Sequence, residues 1–149
     1  MPEFELIDVC TETGAIAEAG WLAAAEPVHR QLRPSLPPDY LGKMQRVFAG
    51  GGRMSLATQE SRVVGLAVWR VFEDTYNGVK FYVDDLVTDE AHRSSGAGKA
   101  LMALLARHAR HCGADGITLD SGVQRHRAHA FYFREGFSIL SHNFKKQLV

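Results

Sequence analysis

Cysteine is scarce in this chain: Cys10 and Cys112 lie far apart and show no metal-type spacing. Such thiols are expected free and buried. Five prolines, three of them at Pro34, Pro37 and Pro38, are too few for an extended linker and mark one loop over Arg33–Asp39. No apolar run approaches the roughly 18 residues a membrane-spanning helix needs. Charge of one sign is also missing, since 17 Lys plus Arg balance 17 Asp plus Glu. A neutral chain has no global field with which to gather nucleic acid or an anionic membrane, so any anionic ligand must be held by a local device. The start, Met1-Pro2-Glu3-Phe4-Glu5, is acidic and lacks the basic and apolar regions of a signal peptide, which gives the expectation of a cytoplasmic protein. Internal repeats, low-complexity tracts and long charge runs are absent. What is present is ordinary for one globular domain: 149 residues, 46% hydrophobic and 23% charged.

The patterning predicts a mixed α/β order. Phe4–Val9 alternates like a strand, and Thr13–Leu32 is Ala-rich and helical, broken or kinked near Pro27. A second helix is expected over Asp39–Phe48, stopped by Gly50-Gly51-Gly52. Arg53–Gln59 and Val63–Phe72 read as a hairpin through Glu60-Ser61-Arg62, and Asn77-Gly78 turns the chain into a strand over Val79–Thr88. Gly98–Cys112 is an amphipathic helix with Met102, Leu105, Ala109 and Cys112 inward and Lys99, Arg107 and Arg110 outward. A short strand at Gly116–Asp120 and a helix at Arg127–Glu135, ended by Gly136, follow. The tail from Phe137 to Leu148 alternates loosely, as one last strand or hairpin.

The chemistry concentrates where the strand Val83–Thr88 runs through Asp89 into Arg93-Ser94-Ser95-Gly96-Ala97-Gly98-Lys99. A glycine turn opening a helix exposes unpaired N–H groups and a partial positive charge, a setting that binds phosphate. Two familiar phosphate motifs fail here. A P-loop needs Ser or Thr after Gly-Lys, and position 100 is Ala; a dinucleotide fingerprint needs glycine at 101, which is Leu.

What remains, Arg93-x-x-Gly96-x-Gly98 after an acidic strand, closely resembles the acetyl-CoA signature of the GCN5-related N-acetyltransferases (GNAT). A second segment, Ala128-His129-Ala130-Phe131-Tyr132-Phe133-Arg134-Glu135-Gly136-Phe137, resembles that family's Ala-x-x-Phe/Leu-Tyr-x-x-x-Gly-Phe stretch, in the family's order. The resemblance implies a single domain over 1–149 with a mostly antiparallel twisted sheet flanked by helices. Residues 1–52 contribute topology and no substrate signature.

Carried over position by position, the resemblance puts the acetyl-CoA pyrophosphate on the N–H groups of Ser94, Ser95, Gly96, Ala97, Gly98 and Lys99, assisted by Arg93. The pantetheine arm would run beside Leu86, Val87 and Thr88, with the N–H of Leu86 or Val87 stabilising the oxyanion. Arg125, Ala128 and Phe131 would complete the cofactor contacts; an Asn usual in the family at the first of these is Arg here. Tyr132 is the expected general acid, since a phenol with pKa near 10 can protonate a departing thiolate. A primary amine must lose a proton before it attacks, and Asp84 and Asp85 are the candidate bases. Strict alternation puts Asp84, with Tyr82, Leu86 and Thr88, on one face and Asp85 with Val87 on the other, which favours Asp84.

Other features carry less. His126 with His129, and His108 with His111 and Cys112, lack a full ligand set, so no metal is expected. Trp21, Tyr40 and Trp69 read equally as core or as acceptor pocket. The leading expectation is an acetyl-CoA-dependent N-acetyltransferase acting on a small-molecule or peptide amine, with no nucleic-acid or membrane partner and with a homodimer possible. The competing reading is a non-catalytic acyl-CoA sensor. Antibiotic, amino acid, peptide N-terminus and lysine side chain all stay open as acceptors.

Overall fold

A computed structural model describes residues 3–149, so Met1 and Pro2 of the N-terminal reading lie outside the described residues. The chain divides into two compact units, one running to Thr118 and the other from Leu119 to Val149. A five-stranded sheet in the order β1-β2-β3-β4-β5 is built from β1 (Glu5–Asp8), β2 (Arg53–Gln59), β3 (Arg62–Asp74), β4 (Gly78–Thr88) and β5 (Ile117–Leu119). The first four pair antiparallel in sequence order. The helices are α1 (Ala19–Leu32), α2 (Tyr40–Ala49), α3 (Ala97–His111) and α4 (His126–Arg134). This is the mixed, mostly antiparallel α/β architecture expected.

Two apolar layers cover the sheet of the first unit. On one face Leu22, Ala25 and Val28 of α1 and Tyr40, Met44 and Phe48 of α2 pack on Met54, Leu56, Leu66 and Val68. On the other, Ala97 and Leu101 of α3 meet Ala57, Val64 and Leu86. The spacings of three and four along each helix are what bring these side chains onto one stripe.

The helix α1 starts six residues later than its composition suggests. Cys10 bridges to Ile16, and between them the chain turns through Gly14 at φ 90°. A Cβ at Gly14 would sit 3.0 Å from the Phe48 carbonyl oxygen, so neither the backbone angle nor the space suits another residue. Pro27 does not break α1, which runs on to Leu32. The lost hydrogen bond is offset by the packed face on either side of it. Asp39 caps α2 by accepting from the Gly42 N–H at 3.0 Å, and Gly50–Gly52 end the helix as expected.

Two expectations need correction. Cys112 is not on the inner stripe of α3; it is the exposed C-cap, and Leu101 and Leu104 occupy the inner face with Met102, Leu105 and Ala109. The tail 137–149 forms neither helix nor strand. Ile139, Leu140, Phe144 and Leu148 are exposed, and a loose alternation without a ladder partner does not make a strand.

Candidate active site

The turn after β4 is held from both sides. Asp89 accepts from Gln31 Nε2 at 2.9 Å and pairs with His92 Nδ1 at 3.0 Å, while Gln31 Oε1 accepts from the Glu90 N–H. A single 3-10 turn over Glu90–His92 follows. Ser94 then sits at φ 62° and Gly96 at φ 97°, both in the left-handed region, and the buried Ala97 anchors the start of α3. No side chain caps this helix. Among the described residues none accepts the N–H groups of residues 94–99. The Ser95 hydroxyl is buried without a hydrogen-bond partner.

Six N–H donors without an acceptor, an unpartnered hydroxyl, a helix N-terminus and the exposed Arg93 thus share one short stretch of chain. That donor set suits an anion such as a pyrophosphate. All seven residues predicted for this role, Arg93 to Lys99, lie in it.

The central strand departs from simple alternation. Val68 of β3 pairs with Asp85 and Trp69 with Val83, so Asp84 is an extra residue in a β-bulge. Before the bulge Phe81 stacks on Trp69, which stacks in turn on His108 of α3. After it the parity reverses: Val87 packs with the α1–α2 core and Leu86 with the α3 cluster. The expected division of the two aspartates between faces is therefore wrong. Asp84 and Asp85 line the same cavity, of about 550 Å³, between the sheet, α1 and α2.

Each aspartate has fixed partners. Arg70 grips Asp84 with Nε at 3.0 Å and Nη2 at 2.7 Å. Asp85 accepts from His29 Nε2 at 2.7 Å and from Arg33 Nε at 2.8 Å. Burial pushes the Asp85 carboxyl up, but the bonds from His29 and Arg33 outweigh it and hold the group below the usual carboxylate range. His29 Nδ1 lies 2.8 Å from the Tyr40 hydroxyl. Burial, with the charges of Glu26 and Asp85, keeps the Tyr40 phenol protonated well beyond the ordinary tyrosine range. An ionised Asp85 can only accept, so Nε2–H of His29 donates to it, and the Tyr40 hydroxyl is the hydrogen-bond partner of Nδ1.

The relay Tyr40–His29–Asp85 was absent from the expected site. Its trace in the sequence is a histidine on the apolar stripe of α1, seven residues after Leu22. Of the three aromatics left open, Tyr40 belongs to this relay and Trp69 packs on the α3 side, donating to Ser55. Trp21 packs against the core, and none of the three lines the cavity.

In the second unit Tyr132 lies on α4, half-buried between the rings of Phe131 and Phe137. Burial raises its phenol above the ordinary value, against a smaller opposing effect of the Arg125 charge. Arg125 precedes the first turn of α4 and is exposed, while Ala128 and Phe131 are half-buried. Of the histidines weighed as ligands, two have protein partners: His129 Nε2 donates to the Gly122 carbonyl and His108 pairs with Asp8.

An open, largely antiparallel sheet with helices on both faces, whose central strand bulges and then runs into a glycine turn at a helix N-terminus, is the architecture of the GNAT acyltransferases. The model of the Acetyltransferase (GNAT) family matches residues 19–137, and the chain belongs to that family. It is 33% identical over 129 residues to a protein of Bacillus subtilis (strain 168) named Uncharacterized N-acetyltransferase YhdJ, covering 83% of this chain and 89% of that protein. Among solved structures, the aminoglycoside N-acetyltransferase AAC(6')-Iy in complex with CoA shares the fold with TM-score 0.83 at 16% identity, over 99% of this chain and 96% of that one. An acetyltransferase of Trypanosoma brucei does so with TM-score 0.75 at 22% identity, over 98% and 100%. Among the described residues no helix is long and apolar enough to cross a membrane.

Proposed function

We propose that this protein is an acetyl-CoA-dependent N-acetyltransferase that acetylates a primary amine of a small molecule or peptide by direct attack in a ternary complex. The observation that carries the reading is the uncapped turn 94–99 with its buried, unpartnered Ser95 hydroxyl. Unsatisfied buried hydroxyls cost about 1–3 kcal/mol. A site that tolerates one beside six free N–H groups is built for a ligand's oxygens.

Bound there, acetyl-CoA supplies an activated thioester carbonyl. Ser94, Ser95, Gly96, Ala97, Gly98, Lys99 and Arg93 hold its pyrophosphate. Leu86, Val87 and Thr88 offer backbone groups to the pantetheine arm, and the N–H of Leu86 or Val87 steadies charge on the carbonyl oxygen. Arg125, Ala128 and Phe131 take the cofactor contacts that the family motif assigns to their positions.

Asp84 and Asp85 line the cavity we assign to the amine, and one of them removes the ammonium proton, directly or through water. Asp84 is held by the Arg70 guanidinium and Asp85 by His29 and Arg33, so both carboxylates are fixed facing the cavity. Tyr132 enters as a protonated phenol and holds its proton for the departing sulfur. We place the enzyme in the cytoplasm, as one domain, without a metal.

Calorimetric titration with acetyl-CoA, together with a CoA-release assay over a broad panel of amines, tests this. Binding with turnover is the expected result. Tight binding with no turnover on any amine would favour a non-catalytic acyl-CoA sensor, and no binding would remove the assignment of residues 93–99.

A further inference from the structure

The cavity beside β4 is chemically two-sided. Four cations, Arg33, Lys43, Arg46 and Arg70, line it against two carboxylates, Asp84 and Asp85. The carboxylates are already committed, Asp84 to Arg70 and Asp85 to Arg33 and His29. What is left over is Lys43 and Arg46, three residues apart on α2 and so on one face of it. Among the described residues neither has an ion-pair partner. Lys43 is half-buried.

Like charges one turn apart repel; Arg46 is exposed in the last turn of α2, where the helix end favours a cation, while no carboxylate pairs with either group among the described residues. They face a space of about 550 Å³, within the range of roughly 300–1,000 Å³ typical of small-molecule sites. The aspartates come from the strand and the unpaired cations from the helix, so the two signs stand on different walls.

Resting on the acetyltransferase reading above, we infer that the acceptor is a small amine that also carries an oxyanion, a carboxylate or a phosphate, received by Lys43 and Arg46. Its ammonium faces the aspartates of β4. A polycationic acceptor fits poorly, because it brings no partner for Lys43 and Arg46 and adds positive charge to a cavity that already holds an excess of it. The aminoglycoside acetyltransferases that share this fold therefore do not predict the acceptor.

The test compares free α-amino acids with their carboxamides, aminoalkyl phosphates and an aminoglycoside. Direct binding is read by calorimetry without acetyl-CoA, and turnover by CoA release. The acids or phosphates should exceed the amides about tenfold in kcat/KM, the order expected when a charged partner is lost. Which of the two is preferred identifies the oxyanion. Charge reversal in Lys43→Glu/Arg46→Glu should abolish the preference, with the milder Lys43→Gln/Arg46→Gln as a check should the first fail to fold; acetyl-CoA affinity should stay unchanged in either. Equal use of acid and amide, faster turnover of the aminoglycoside, a preference that survives both double variants, or no binding by any oxyanion amine would overturn the inference. Loss of acetyl-CoA binding by the unaltered protein would instead remove the proposed function and leave the calorimetric arm readable.

Discussion

Asp84 and Asp85 are adjacent in the chain and line the same cavity, because the bulge opposite Val68 and Trp69 leaves Asp84 without a partner across the ladder. A bulge is the cheapest way to aim two consecutive side chains of a strand to one side, and it also bends the strand. Two carboxylates at one site would ordinarily raise one another's pKa. Arg70 on the first, and His29 with Arg33 on the second, supply the compensating charge and donors.

Asp85 should make stability fall in acid. Its folded pKa lies below the ordinary value of about 3.9, so its contribution is fully present above that value and is lost as pH drops through the folded pKa. Asp8 and Asp89 are depressed too and share the effect, which makes the comparison with Asp85→Asn the informative one. Urea melts from pH 7 to pH 2 should show a shallower acid decline in Asp85→Asn than in the unaltered protein, from a lower plateau at neutral pH. Parallel declines would show that the ionised Asp85 carboxylate, with its His29 and Arg33 partners, adds nothing to the acid dependence of folding.

Tyr40→Phe should separate stability from cofactor binding. It removes the hydrogen-bond partner of Nδ1 of a histidine only 2% exposed, leaving that nitrogen unsatisfied. The expected loss is about 1–3 kcal/mol, read as a Tm lower by several degrees, roughly 2–4 °C per kcal/mol at this size. Calorimetry with acetyl-CoA should give the same Kd as before. An unchanged Tm would mean that the hydroxyl is dispensable to the relay.

Much of this was legible in the residues. Arg93, Gly96 and Gly98 after an acidic strand located the glycine turn that opens α3, because glycine at a helix start answers a local backbone requirement that no distant contact has to supply. The hairpins at Glu60-Ser61 and Asn77-Gly78 were equally local, and each lies where its turn residues put it. Side-chain parity was not legible. The bulge depends on how β3 and β4 register, and one extra residue reversed the faces of Asp85, Leu86 and Val87. His29 stayed hidden for a related reason: on α1 it looks like any polar interruption of an apolar stripe, and its meaning comes from Asp85, 56 residues away. The start of α1 was not legible either: alanine content carries no sign of the bridge from Cys10 to Ile16, which holds the chain in a turn there.

Ser95→Ala offers a sharper test of the anion turn than a glycine substitution. The hydroxyl is buried and unpartnered, so its removal should leave Tm unchanged or raise it while weakening acetyl-CoA. Gly96→Ala should weaken acetyl-CoA as well, but at a cost of about 1 kcal/mol in stability, since Gly96 sits at φ 97° while the added Cβ would meet only Phe4 at 3.7 Å. Lower stability in Gly96→Ala but not in Ser95→Ala, with weaker acetyl-CoA binding in both, is the expected pattern. A Ser95→Ala protein that binds acetyl-CoA as tightly as the parent would mean that the hydroxyl does not serve the ligand.

Tyr132→Phe should act on turnover alone. The ring stays wedged between Phe131 and Phe137, so packing survives the change. Losing a positioned general acid costs on the order of 10²-fold or more in rate, and CoA release under saturating acetyl-CoA should fall by that order with Kd unaltered. The pH dependence adds a second constraint. Burial raises the phenol above its usual value of about 10, and a proton donor is lost only as pH rises through its pKa. The alkaline limb of kcat in the unaltered enzyme should therefore lie above that value. A limb well below it would assign the titration to another group, and a Tyr132→Phe variant with undiminished kcat would remove the acid role from this residue.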